Sequence, residues 1–336
     1  MSHQGSLLKN HNLWAAVIIA AIPLILPEAL LPVLCVGGVY AIAALGMSLL
    51  LGFAGQISLG HAAFLGLGAY TVAILTTRYH WPAFAALAAS AVVPGAIAFV
   101  IGKPILKTRG FFLALATLGF GEIFYVFISR TDPFFGGLVG IGGIPYFSLG
   151  FYELSSYRDI FYLHWAVLLA LVIYSQNLVN SRAGRAFRAI STDELAASTM
   201  GVDVAAYKLK IFVISAAYAG IGGGLLASYL SMTQPDGFRV TLSLFIVLAV
   251  IVGGMGNLWG VVIATVALTW LKDEQLSQYQ EYGTLIYGII LILILIFAPN
   301  GLGALGQKWF DRLRRAGGRR QALACQKRAD GDTPDR

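Results

Sequence analysis

Charge is scarce in this chain of 336 residues: Asp, Glu, Lys and Arg together make up 12% of it, against 58% hydrophobic residues. With a mean hydropathy of +0.76, it carries more apolar surface than a water-soluble fold can hide. Cysteine is equally sparse. Cys35 lies in an apolar stretch and Cys325 in a charged tail, so no disulfide is expected. The five histidines (His3, His11, His61, His80 and His164) are dispersed, with His61 read as the one inside an apolar span, which gives metal-hydrolase and redox chemistry little support. No phosphate-binding G-x-x-x-x-G-K-[ST] loop occurs, because Gly102-Lys103 runs into Pro104. The chain is therefore expected to have no nucleotide-binding domain.

What fills the sequence instead is a series of apolar stretches near the roughly 20 residues needed to cross a hydrocarbon core. Read coarsely, they cover 13–32, 33–52, 54–77, 83–102, 110–129, 161–180, 208–230, 240–254, 257–271 and 283–299, separated by polar or Pro/Gly-rich breaks. The first, from Leu13 to Pro32, lacks the basic flank and small-residue cleavage site of a signal peptide, and further spans follow it. The expected fold is all-α, a polytopic transmembrane helix bundle of about 8–10 segments, some of them short and broken by glycine.

Basic residues orient the bundle. With a cytoplasmic N-terminus and each stretch crossing once, 18 of the 23 Lys and Arg residues fall inside, leaving Arg78, Arg130, Arg158, Arg239 and Lys272 outside. A single long helix over 240–271 would invert the tail and change the split to 10 inside and 13 outside, so two short passes or a re-entrant pair are expected there. Three parts result: a cytoplasmic N-terminus over 1–12, a transmembrane domain over 13–306, and a cytoplasmic basic tail over 307–336. From Lys308 onward that tail carries nine basic and four acidic residues, a composition that favours disorder beside an anionic membrane face over nucleic-acid binding.

Two glycine-rich constellations interrupt the apolar pattern. In the first, Gly52, Gly55, Gly60, Gly66 and Gly68 weaken what would otherwise be a membrane helix, and Gln56, Ser58 and His61 stand in the same stretch. Polar groups at membrane depth are costly unless they meet a partner or a water-filled cavity, so a broken helix lining a translocation path competes with close helix packing. His61 by itself reads more readily as a packing residue than as a proton carrier. The second constellation, Val252-Gly-Gly-Met-Gly-Asn-Leu-Trp-Gly260, joins two short segments, and Gly253, Gly254 and Asn257 become path candidates with the first set. Glu122, an acid inside an apolar run, is the remaining candidate, as a lining residue or as half of an interhelical pair.

The longest cytoplasmic loop, 181–207, reads as a short amphipathic helix, a turn at Gly201 and re-entry. Thr192, Asp193 and Glu194 supply helix-start chemistry, Arg182, Arg185 and Arg188 recur every three residues, and Phe187, Ile190, Leu195 and Met200 offer apolar contacts. Leu195-Ala-Ala-x-x-x-Gly201, followed by Ile211, resembles the EAA loop of ABC importer permeases, with Glu194 one position ahead of that loop's Glu and Val213-Ile214 in place of Leu-Pro. In those proteins the loop is the coupling helix. The resemblance assigns coupling to Gly184, Arg185, Arg188, Asp193, Glu194, Leu195, Ala196, Ala197 and Gly201.

Longer blocks extend the likeness. Gly55-Gln-Ile-Ser-Leu-Gly-His-Ala-Ala-Phe64, Phe112-Leu-Ala-Leu-Ala-Thr-Leu-Gly-Phe-Gly-Glu-Ile123, Gly184-Arg-Ala-Phe-Arg-Ala-Ile190, Tyr207-Lys208, Gln234-Pro-Asp-Gly-Phe238 and Pro299-Asn-Gly-Leu302 resemble, in order, the branched-chain amino-acid permease family of LivM type. The resemblance implies a non-catalytic membrane subunit of the bacterial inner membrane, with both termini cytoplasmic. It further implies a second LivH-like permease, two ATP-binding subunits that use the ATP, and an extracytoplasmic amino-acid-binding protein, with no cofactor held by this chain. A urea or amide permease of the same family, a secondary transporter or channel, and a distant intramembrane enzyme pairing Ser58 with His61 are the competing readings.

Overall fold

A computed structural model describes residues 17, 19–23, 27–108, 110–149 and 152–272. Eleven α-helices follow in chain order among them: α1 (Leu31–Ser48), α2 (His61–Thr77), α3 (Ala83–Ile105), α4 (Phe111–Arg130), α5 (Asp132–Phe135), α6 (Tyr157–Asn180), α7 (Arg182–Thr192), α8 (Glu194–Thr199), α9 (Val204–Leu230), α10 (Val240–Gly253) and α11 (Leu258–Trp270). Among the described residues, six helical stretches are long and apolar enough to span a bilayer, and α2 and α11 are shorter apolar helices. Among the described residues, strands are confined to four two-residue pieces. Ile141–Gly142 (β1) pairs antiparallel with Met232–Thr233 (β4), and Ser148–Leu149 (β2) with Tyr152–Glu153 (β3). This is the expected all-α polytopic bundle.

Helices α1, α2 and α9 form the centre, and because each is apolar on every side none shows an amphipathic stripe. Lipid offers no hydrophobic drive for helix association, so close backbone packing must supply it. A Cβ added to Gly68 of α2 would lie 2.0 Å from the Gly220 carbonyl oxygen of α9, and one on Gly223 1.8 Å from that of Leu65. Only glycine permits this seam. On the other side of α9, a Cβ on Gly220 would lie 2.1 Å from the Ser90 oxygen of α3. That carbonyl lacks its helical donor, because Pro94 stands four residues on. Around this centre, α3, α4 and α6 form a rim with about one third of their apolar windows buried.

The eight expected spans that lie within the described residues each correspond to a helix, with one substantial correction. The stretch 54–77 is not one helix: residues 55–60 are irregular, Gly55 adopts φ +66°, and the helix starts at His61. The stretch 240–271 is two helices, α10 and α11, packed on each other and separated at Gly254 and Gly256, whose φ values are 94° and 91°. His164 also proves to lie inside a spanning helix, α6, where its Nδ1 meets the Cys35 carbonyl at 3.1 Å. Most of 13–32, all of 283–299 and the tail lie outside the described residues.

Candidate functional site

The first glycine break begins where α1 runs into a π-helical turn, Leu49–Phe53. Leu51 and Leu50 carbonyls accept from the amides of Gly55 (3.2 Å) and Gln56 (3.1 Å), and the chain then leaves helical geometry until Gly60. Gly60 has no side chain with which to cap α2. Other helices supply the acceptors: Thr117 Oγ1 of α4 takes the Leu59 amide at 3.0 Å, and Ser243 Oγ of α10 takes the Ala62 amide at 2.8 Å. His61 is anchored too, its Nε2 lying 3.1 Å from the Ala43 carbonyl of α1. The break is thus held by three neighbours.

Gln56 and Ser58 differ from His61. Gln56 is 4% exposed, and neither side-chain polar atom has a hydrogen-bond partner; the Ser58 hydroxyl, also buried, has none either. Unpaired buried polar groups are uncommon because each forfeits its hydration. In a transporter, such groups are available to a polar solute. Ser58 and His61 form no hydrogen-bonded pair, and His61 is committed to backbone, which removes the geometric basis for nucleophile activation.

The second break meets the first. A Cβ on Gly52 would stand 2.7 Å from the Gly256 amide nitrogen, so the π turn of α1 and the tip of the α10–α11 hairpin touch through backbone. Asn257 is used locally, its Oδ1 accepting from the Gly260 amide at 3.1 Å to cap α11. Gly253 and Gly254 are buried, with a Cβ on Gly253 2.4 Å from the Val261 Cα. Gly253 therefore lets the hairpin close on itself.

The loop over 181–207 is two helices, where one was expected. Asp193 breaks it by adopting extended backbone and capping α8, its Oδ1 accepting from the Leu195 (2.8 Å) and Ala196 (3.1 Å) amides. Helix α7 is fastened to the end of α6: Ser181 Oγ caps it, a Cβ on Gly184 would lie 2.0 Å from the Val179 oxygen, and the Arg188 guanidinium donates to that carbonyl at 2.7 Å. Arg188, although exposed like Arg185, is thus a positioning group. Glu194 forms an ion pair with the buried Lys208 of α9. Helix α8 ends in a Schellman turn, with Gly201 at φ +82° and the amides of Gly201 and Val202 bonded to the Ser198 and Ala197 carbonyls.

The four apolar residues expected to make contacts in this loop separate into two pairs. Phe187 and Ile190 are buried against the bundle, with Phe187 edge-on to Tyr207, while Leu195 and Met200 are 75% and 84% exposed. Ala197 is buried and Ala196 is exposed. The loop also reaches the first break, since a Cβ on Gly55 would lie 3.6 Å from the Ser191 Cβ at the end of α7. Helices α7 and α8, the π turn, the Gly55–Gly60 break and the α10–α11 tip form one contiguous set. Glu122 stands apart, exposed on α4.

Thr117, Ser243, Ser191 and Lys208 were not singled out by residue pattern as parts of this site. A hydroxyl in a long apolar run, as at Thr117 and Ser243, is the signal that marks them.

The family model described as branched-chain amino acid transport system, permease component, matches residues 29–295. The chain is 31% identical over 323 residues to the high-affinity branched-chain amino acid transport system permease protein LivM of Salmonella typhimurium, covering 89% of this chain and 76% of that one. It is 30% identical to LivM of Escherichia coli K12 with the same coverage, and 25% identical over 289 residues to LivH of the same organism, covering 79% of this chain and 91% of LivH. No solved structure matches.

Proposed function

The chain belongs to the branched-chain amino acid transport system permease family, and from that premise we propose that it forms one side of the translocation path in an ATP-driven importer of branched-chain amino acids. It is a multi-pass membrane protein. In the proposed assembly it pairs with a LivH-like permease, two ATP-binding subunits dock beneath it, and an extracytoplasmic binding protein delivers the substrate. The assembly sits in the inner membrane with both termini of this chain cytoplasmic. The transmembrane domain is 13–306, with 181–207 as its coupling loop, and this chain holds no cofactor.

The observation that carries the reading is a relay of contacts from the loop through the first break to the second: Ser191 lies on Gly55, and Gly52 lies on Gly256. Closure of the ATP-binding subunits would press on the exposed Leu195 and Met200. The Glu194–Lys208 pair and the α7 anchor would carry that displacement into α9 and the Gly55 segment, shifting packed helices between two arrangements open to opposite sides. Gln56 and Ser58, buried and unpaired, are positioned to offer weak polar contacts to a zwitterion while the surrounding helices offer apolar walls. A weak site suits passage, because tight binding would stall release.

Reconstitution tests it. The complex purified in mild detergent should contain a second permease and ATP-binding subunits, and in liposomes it should take up leucine only with ATP and the binding protein present. Gly201→Leu, strained at positive φ, should leave ATP hydrolysis running while uptake falls. Uptake independent of ATP would instead establish a secondary transporter.

A further inference from the structure

Helix α4 attaches to the bundle along one stripe: Leu113, Ala114, Thr117, Gly121, Phe124 and Ile128 are its buried residues. The opposite stripe holds Leu115, Gly119, Glu122 and Val126 at helical spacing, with Ile123 beside it 69% exposed and Val126 52% exposed. A Cβ on Gly119 would meet nothing within 4 Å. Among the described residues, nothing covers this face between Leu115 and Val126.

Glu122 makes that face unlike the rest of the rim. It lies eight residues from the nearer end of α4, and no other Asp, Glu, Lys or Arg in the described spanning helices stands as far from a helix end. Eight residues are about 12 Å of helix rise, too far for a glutamate side chain to reach the aqueous boundary. The outward faces of α3 at Val92, Val93, Phe99 and Val100 carry no charge and suit lipid. One turn along α4, Tyr125 shows what an internally satisfied polar group looks like here, since its hydroxyl donates to Asp236 Oδ1 at 3.0 Å and accepts from Arg239. Glu122 has no such partner among the described residues. A carboxylate at that depth facing hydrocarbon would cost several kcal/mol.

We propose that the α4 face carrying Leu115, Gly119, Glu122 and Val126 is the seam against the second, LivH-like permease subunit, with Gly119 admitting close approach and Glu122 meeting a basic or hydroxyl group or the aqueous path there. Only a membrane-embedded segment can cover a face at this depth; a second polytopic permease is the occupant, and an Ile123 crosslink at unshifted mass, to this chain's own 283–299 stretch, would overturn that. The relatives LivM and LivH in one organism are two such chains. The inference rests on the paired-permease reading and adds which surface makes the pair.

The test places the photo-crosslinker benzoylphenylalanine at Ile123, and separately at Val100 on α3, in the full chain within membranes that hold the whole transporter. Irradiation should shift Ile123-labelled chain to the mass of a two-permease adduct containing the LivH-like subunit, with no such shift from Val100. Adducts from Ile123 with lipid alone, or with a second copy of this chain, would overturn the proposal, as would a permease adduct from Val100 alone. Gly119→Trp gives a second reading: the chain should stay abundant in the membrane, because the side chain leaves the backbone where a Cβ meets no described atom within 4 Å, and lose the second permease on pull-down. Retention of that permease would count against the seam. Failure of the unsubstituted chain to copurify any second permease would overturn the paired reading and the seam together, whereas copurification with crosslinks elsewhere overturns the seam only.

Discussion

Gly52 and Gly256 face each other so closely that a Cβ on Gly52 would stand 2.7 Å from the Gly256 amide nitrogen. Both residues belong to breaks in apolar helices, and each break ends near the other because neither carries a side chain at the contact. Gly52→Val should force the π turn and the α10–α11 tip apart, at about 1–3 kcal/mol for overpacking. The thermal midpoint of the purified complex should fall and leucine uptake with it. Gly142→Ala, where a Cβ meets nothing within 4 Å, should shift the midpoint little. An unchanged midpoint and uptake rate in Gly52→Val would mean that the two breaks need not touch.

The start of α2 is capped from a distance, by Thr117 of α4 and Ser243 of α10. Removing either hydroxyl leaves a backbone N–H at the break without its acceptor, at about 1–3 kcal/mol each. Thr117→Val and Ser243→Ala should each lower the thermal midpoint. Because both fix one segment, the double variant should lose less than the sum of the two. Strict additivity would indicate that Leu59 and Ala62 are held independently.

The Glu194–Lys208 pair is asymmetric: Lys208 is 7% exposed in its side chain and Glu194 33%. Removing the glutamate strands a buried ammonium, while removing the lysine leaves a carboxylate that can turn to water. Glu194→Ala should therefore destabilise more than Lys208→Met, and should free α8 to move. Trypsin applied from the cytoplasmic face should cleave at Arg182, Arg185 or Arg188 faster in Glu194→Ala than in Lys208→Met. Equal cleavage in both would show that the pair does not hold the loop.

Much of this arrangement was legible in the residues, and the reasons differ from part to part. Long apolar runs have only one solvent available to them, so the spans were readable, and the charge asymmetry foretold two short helices over 240–271. Glycine density marked both breaks. It could not reveal that they touch, since the contact joins residues about 200 positions apart through backbone atoms that carry no side-chain signature. Asp193 was recognised as helix-start chemistry, but its breaking of the loop into two helices was not, because Arg182 to Thr199 otherwise keeps a helical pattern. Polar residues at depth separated only in three dimensions: His61 proved to be bonded to the backbone of α1 and Asn257 to its own helix start, with Gln56 and Ser58 unpaired.

The same separation governs the apolar residues of the 181–207 loop and yields the sharpest contrast. Phe187, 1% exposed, fills a site between α7 and the bundle, and Phe187→Ala should cost about 3–5 kcal/mol in lost transfer and cavity energy. Leu195 and Met200 bury little surface in this chain, so Leu195→Ser combined with Met200→Ser should leave the unfolding free energy of the isolated permease within about 0.5 kcal/mol of normal. If α8 is the surface on which the ATP-binding subunits close, the double variant should nonetheless lose those subunits on pull-down and lose ATP-dependent uptake. Phe187→Ala should show the reverse order, with stability falling first. A double serine variant that keeps its ATP-binding subunits and full uptake would move the docking surface away from α8, leaving the exposed Arg182 and Arg185 of α7 as the next site to change.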